Sequence, residues 1–445
     1  MTSMITEAER DMRDGSRRSR IGRGAGAVLA ASLVTLAACE VTNPGPVSDE
    51  NLDLPTVHQA IVNGAGRKMS QATSFIGYTG ALSSREIIAG GQTGNGGHDA
   101  ITQAGQLLAT NNTNHWGYVH VARWIAEDAI RRFSALPTGT VDAAVWSEAY
   151  LWAGYANRLL GENFCEAVFD GGAKQANVEY FKRAEKHFTA AIAKAPGTTA
   201  GANFKTAAYA GRASVRVFLK DWTGAVADAN QIPIGFRFQV NADVASEDTR
   251  NQIYFVNSNT PYRGYSVWRT YYQTYYDATG DPRVPYGKDP TVPFANSQLS
   301  GYGSVPWWFQ LKYKGNNDDF NASTGREMVL IRAEAALLSN DLAGAMALIN
   351  GLRTGLRSDK TGLPLAPWVA NNITDGWTFL KRERGIELWL EARRLGDIRR
   401  WSENNTPGTL DWPNFETISR LFIDYPASKC FPIPQTELDT NPNLD

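Results

Sequence analysis

Histidine and cysteine are the scarce residues of this chain, with five and three in 445. The shortage narrows the chemistry available. His115 and His120 stand five apart, which places them on different faces of a helix, so they do not form the zinc-binding H-E-x-x-H arrangement. The others are His58, His98 and His187; no metal site and no cofactor are expected. No G-x-S-x-G elbow is present. The glycine-rich stretch 90–97 follows no strand and fits no G-x-G-x-x-G register. Asn316 to Asn321 is polar enough for calcium but lacks the glycine and the closing glutamate of a calcium loop. Charge is balanced at a net of -1, which gives no reason to expect a nucleic-acid partner. After residue 38 no apolar run is long enough to span a bilayer as a helix.

What is present begins with a leader. Six arginines, Arg10, Arg13, Arg17, Arg18, Arg20 and Arg23, precede a short apolar run from Gly24 to Ala38. A basic front before such a run is a secretory signal, here residues 1–38. Ser16-Arg17-Arg18 is faintly similar to a twin-arginine signal, although Arg20 sits where an apolar residue is expected. Leu36-Ala37-Ala38-Cys39 resembles a bacterial lipobox. That resemblance implies cleavage before Cys39 and a diacylglyceryl group on its thiol; the alternative is ordinary cleavage with Cys39 a plain thiol. Residues 39–56, rich in Pro, Asn and Asp, read as a lipidated tether. With Cys39 lipidated, Cys165 and Cys430 remain, and an oxidising compartment makes them a candidate disulfide. The alternative is two separate buried thiols.

The rest reads as one mainly α domain, residues 57–445, with irregular insertions at 70–115 and 235–320. Val57 to Met69 and Trp116 to Phe133 have helical spacing, while Ser70 to Asn114 reads as a surface loop. Helix pairs are expected at Val141–Leu160 with Val178–Ala195, Asn203–Leu219 with Trp222–Gln231, Arg326–Leu338 with Leu342–Leu352, and Trp377–Leu395 with Ile398–Trp401. Small residues such as Ala207, Ala210, Ala213, Ala225 and Ala229 let helices approach closely, as in tetratricopeptide-like units, of which about four are expected. Between the second and third pairs the chain is Pro- and Gly-rich, with short strands expected, Ile253 to Val256 among them.

The last pair carries the densest pattern. Glu383, Glu387 and Glu391 are four apart and share one helical face, with Arg384, Arg393, Arg394, Arg399 and Arg400 close by and Trp401 closing the run. Gly396 is expected to stop the first helix and Asp397 to cap the second. Interleaved apolar residues point to a half-buried ion-pair network joining two helices. The set Glu383, Arg384, Glu387, Glu391, Arg394, Asp397, Arg399, Arg400 and Trp401 resembles the signature of the SusD/RagB family. Asp281-Pro282-Arg283, Ile331-Arg332-Ala333-Glu334-Ala335 and Pro432-Ile433-Pro434 resemble further stretches of it.

The resemblance implies an outer-membrane lipoprotein, displayed on the cell surface in that family's manner, that binds a nutrient and delivers it to a SusC-like TonB-dependent transporter without covalent chemistry. The signature is structural in that picture. The ligand pocket does not transfer residue by residue, so candidates come from chemistry. Sugar rings lie well on Trp and Tyr faces, and residues 262–313 are rich in both. Trp307, Trp308 and Tyr302 form the expected platform, with one of the tryptophans exposed; Trp268 and Tyr272 are further candidates, although one stripe of the Trp268–Tyr276 run is expected to be core. The ligand is an oligosaccharide or, second, a peptide. Two rival readings are an exported tetratricopeptide scaffold binding protein alone and a lipoprotein glycoside hydrolase. The arginines around the signature glutamates would keep these charged, which argues against their use as a general acid.

Overall fold

Helix boundaries follow from the turn chemistry between the pairs. The computed structural model describes residues 49–90, 99–260 and 262–444; the leader, Cys39, most of the tether and the stretch 91–98 lie outside them. The helices are α1 (His58–Ser83), α2 (Ala100–Gln103), α3 (Thr113–Ala135), α4 (Ala143–Asn163), α5 (Val178–Lys194), α6 (Thr199–Leu219), α7 (Trp222–Ala229), α8 (Tyr271–Thr279), α9 (Gly325–Leu338), α10 (Leu342–Thr354), α11 (Ile373–Glu387), α12 (Arg394–Glu403), α13 (Leu421–Asp424) and α14 (Gln435–Thr440). Two of the pairs close in the same way. Lys220 (φ +62°) and Asn340 (φ +63°) turn the chain in the left-handed region, and the following Asp221 and Asp341 cap the next helix by accepting from Gly224 N (2.9 Å) and Gly344 N (2.8 Å).

Helices α3 to α7 pack in sequence, each on the next, and α9 packs on α6, α7, α10 and α11. Every alanine singled out from the sequence is buried. Phe188 of α5 shows how close the approach is. A methyl placed at Gly154 of α4 or at Gly211 of α6 would lie 2.6 and 2.4 Å from its ring, so both positions hold glycine and the ring fills the space between three helices. The fourth pair is held differently: α11 packs on α9 and α10, α12 packs on α1 and α4, and ion pairs join the two.

Three expectations are corrected. Residues 70–83 are not a loop but the second half of α1, buried throughout. Their Gly, Ser and Thr content serves close packing: Gly77 faces Ile253 and Gly80 faces Leu395. Ile253 to Val256 is not a strand but part of a helical turn continuing through Ser258. Helix α11 ends at Glu387, not near Leu395, and Gly396 and Asp397 lie inside α12.

The insertion does carry short strands, and others lie outside it. Among the described residues they form five two-stranded antiparallel sheets: β1 (Ile88–Ala89) with β5 (Tyr265–Ser266), β2 (Glu166–Ala167) with β3 (Gln175–Ala176), β4 (Arg237–Val240) with β10 (Phe320–Thr324), β6 (Tyr286–Lys288) with β9 (Trp308–Gln310), and β7 (Phe294–Leu299) with β8 (Gly303–Pro306). Cys165 and Cys430 are joined as a disulfide, beside a backbone bridge between Phe164 and Phe431.

Candidate ligand-binding site

The signature residues build a clasp from three elements rather than one helix face. Glu383, Arg384 and Glu387 come from α11, Glu391 and Arg393 from the linker 388–393, and the rest from α12. In the linker Leu390 (φ +58°) and Ala392 (φ +60°) adopt the left-handed conformation, at a cost of about 1–2 kcal/mol each. Their surroundings impose it. Leu390 N donates to Glu86 Oε1 (2.8 Å), Tyr313 Oη donates to Leu390 O (3.2 Å), Lys312 Nζ donates to Trp389 O (2.5 Å), and Asn163 Nδ2 donates to Ala392 O (3.1 Å).

Two ion-pair groups flank that linker. In the first, Arg283 donates to both oxygens of Asp281 (3.0 and 2.7 Å), to Glu383 (2.6 Å) and to Glu387 (2.9 Å), while Arg326 donates to Glu387 (2.7 Å). Trp368 Nε1 donates to Glu383 (3.0 Å), and Tyr275 Oη accepts from Arg353 and donates to Asp281 (2.8 Å). In the second, Arg384 pairs with Asp397 (2.9 and 3.1 Å), Arg400 bridges Asp397 and Glu334, and Trp401 Nε1 donates to Glu334 (3.0 Å). Arg393 reaches Glu162 (3.0 Å) and Glu327 (2.7 Å), and Arg399 donates to the carbonyls of Gly161 and Phe164. Burial opposes ionisation of Asp397, Glu387 and Glu327, but the facing arginines outweigh it and hold all three below the usual carboxylate range. At Glu162 burial wins over Arg393 and Arg158 and the pKa is raised. The partners Glu162, Glu327, Asp281 and Lys312 were missed as members of the clasp; no spacing along the chain connects them to it.

The aromatic candidates separate into core and surface. Trp307 is 3% exposed and its indole donates to Asn257 O (2.7 Å). Tyr272 is buried and stacks on Trp389, with ring centroids 5.5 Å apart. Both are core residues and offer no ring face to solvent, which removes them from the ligand-binding candidates and leaves Trp308 as the outward tryptophan of the Trp307–Trp308 pair. Trp308 is half-buried, stacked on Tyr286 at 5.7 Å with Lys288 Nζ 3.8 Å over its ring. Trp268 and Tyr302 meet at 5.5 Å, and Tyr302 is 45% exposed. The hairpin β7–β8 presents Tyr302 on its turn, flanked by Gly301 and Gly303 at positive φ, and Ser300 N donates to Gln103 Oε1 (3.2 Å) to fix that turn on the α2 region. A separate polar cleft of about 790 Å³ opens beside the clasp, with Tyr276, Pro282, Pro285, Lys312, Asn317 and Glu391 in its lining.

Comparison with known proteins fits this architecture. Residues 239–445 match the model of the SusD family. The match covers the C-terminal part of the chain, a little under half of it. The fold agrees: a SusD superfamily protein from Bacteroides thetaiotaomicron superposes with a TM-score of 0.65 at 14% identity, covering 88% of this chain and 99% of that one. A SusD/RagB family protein from the same species gives 0.62 at 13%, covering 87% and 94%. A SusD-like carbohydrate binding protein from Bacteroides vulgatus gives 0.61 at 15%, covering 88% and 97%. No curated protein gives a significant match. The matched SusD segment holds every signature residue, yet Glu86, Glu162 and Asn163, which complete the clasp, lie before it.

Glu86 is expected to give the clasp a pH dependence. Burial raises its pKa to about 7, against the hydrogen bonds from Leu390 N and Ser84 Oγ. In the unfolded chain it ionises near 4.5, the ordinary value for a glutamate. A raised folded pKa means the stabilising contribution is full below the unfolded value and is lost as pH rises through about 7. Glu86→Gln is therefore expected to gain stability over the parent chain as pH rises from about 5 to 8, by up to ~3 kcal/mol. Urea unfolding across that range checks it, and parallel curves would contradict it.

Proposed function

We propose that this chain is a lipid-anchored outer-membrane protein that captures an oligosaccharide and passes it to a TonB-dependent transporter, without altering it covalently. The observation that carries the reading is the SusD-like fold bearing exposed Tyr302 on a braced hairpin against the half-buried ring of Trp268. Supporting it are the lipobox-like Leu36–Cys39 and the absence, among the described residues, of a helix long and apolar enough to cross a membrane. The likeness to a carbohydrate-binding relative adds chemistry of the same kind. The signature carboxylates serve as ion-pair partners, and the arginines facing Glu387 and Asp397 hold these two charged, which suits a structural role better than that of a general acid.

The test is binding of a glycan panel to the full chain in detergent. Trp268→Ala and Tyr302→Ala are each expected to weaken the best ligand about tenfold, the loss of one ring face at roughly 1–1.5 kcal/mol. Trp307→Ala is expected to lower stability and leave affinity within error in the folded fraction. Unchanged affinity in both platform variants would remove the pair from the site. Affinity capture from solubilised outer membranes that recovers no TonB-dependent receptor would count against delivery and favour the scaffold reading.

A further inference from the structure

We infer that the polar cleft beside the clasp is a second saccharide site, in which Glu391 and Lys312 together hold two neighbouring hydroxyls of a neutral sugar ring. This rests on the reading of the chain as a saccharide-binding protein and adds a site distant in sequence from Trp268 and Tyr302. At about 790 Å³ the cleft lies within the range of small-ligand pockets.

Glu391 is the central observation. Its side chain is 2% exposed. Both of its hydrogen bonds, from Lys312 Nζ (2.7 Å) and Asn321 Nδ2 (2.8 Å), fall on Oε1. Oε2 has no hydrogen-bond donor among the described residues, and it is not among the side-chain atoms sealed from solvent. The residue lines the cleft, so this oxygen is an acceptor held ready at its wall. Lys312 complements it. An ammonium carries three protons; Trp389 O and Glu391 Oε1 take two, and the third serves the cleft that Lys312 also lines. A donor and an acceptor side by side match adjacent ring hydroxyls, each of which both gives and accepts a hydrogen bond.

Charge selects the ligand class. The walls mix Glu387, Glu391 and Asp359 with Arg237, Arg283 and Lys314. A free anion would meet the carboxylates and a free cation the arginines and lysines, each repelled by its like. A neutral polyhydroxy ligand meets neither penalty and uses both kinds of partner. The half-buried Tyr276 ring and the rings of Pro282 and Pro285 supply apolar surface for the C–H face of a sugar.

Calorimetric titration of the full chain in detergent with short neutral gluco-, xylo-, manno- and galacto-oligosaccharides tests the inference. Glu391→Gln keeps an oxygen for Lys312 and replaces the open acceptor with a donor. It is expected to abolish one of two binding events, or to weaken it at least tenfold, and to leave intact the event that the Trp268→Ala/Tyr302→Ala double variant removes. Asn317→Trp, an exposed position at the cleft mouth, is expected to block the same event without touching the clasp, so the test stands even where Glu391→Gln fails to fold. Wild-type affinity and stoichiometry in both cleft variants would overturn the second site alone. Binding of short peptides in the cleft, with no sugar, would overturn it as well. A wild-type chain that binds no saccharide would overturn the nutrient reading and this site together.

Discussion

Arg393→Met is expected to destabilise the fold by about 3–5 kcal/mol, the cost of leaving buried carboxylates without their cation. The arginine is 3% exposed and its two partners, Glu162 and Glu327, are each 1% exposed. Methionine fills much of the same space, so the loss is electrostatic rather than a cavity. Glu327 would keep only the Ser214 hydroxyl (2.8 Å), and Glu162 only Arg158 at 3.7 Å. Equilibrium unfolding in guanidinium near neutral pH measures the loss. Arg420→Met, at an 84% exposed side chain paired with Asp424, serves as the control and should change stability by no more than about 0.5 kcal/mol. The sign of the pH dependence offers a second check. Without Arg393 the strongest influence lowering Glu327 is gone, Arg158 and Arg384 alone remain against burial, and the variant is expected to take up protons on folding. Its deficit against the parent chain should therefore shrink as pH falls towards 4. A deficit under about 1 kcal/mol at neutral pH would show that the cluster is not the electrostatic centre described above.

Removing the disulfide as a Cys165→Ala/Cys430→Ala pair is expected to cost roughly 3–5 kcal/mol, since the cross-link closes a loop of 265 positions in the unfolded chain. The folded state should change little. Cys165 N still donates to Phe431 O (2.9 Å), Phe431 N to Asn163 O (2.8 Å), and Arg399 to Phe164 O (2.8 Å), so the tail stays docked. The expected signature is a lower midpoint with an unchanged circular dichroism spectrum. A midpoint equal to that of the parent chain would mean that the noncovalent clip already confines the unfolded ensemble.

The helix pairs were legible because local chemistry marks their ends: Lys220-Asp221 and Asn340-Asp341 announce a left-handed turn and a cap. The end of α11 was not. The run from Glu383 to Leu395 has sound helical spacing, and the break after Glu387 is imposed by Glu86, Asn163 and Lys312, which meet the linker only in the folded molecule. The second half of α1 misled in the opposite sense, because glycine and serine read as loop until Ile253 and Leu395 are found against them. The platform failed in part for a similar reason. Trp307 and Trp308 alternate on an extended segment, and only the partner at Asn257 decides that Trp307 turns inward. The cleft had a partial signal in the polar run 316–321; the companion Glu391 came from a stretch read as helix.

The clasp also sets an order of events for the newborn polypeptide. A ribosome delivers Glu162 well before Arg393, which follows it by 231 positions. Until that arginine arrives, Glu162 of α4 has only Arg158, 3.7 Å away on the same helix, to offset its charge. The early helices can therefore collapse on one another but cannot seal, and the final docking step belongs to the last quarter of the chain. Contacts of such long separation slow folding, so a fragment lacking its C-terminus should stay loosely packed and open to proteases.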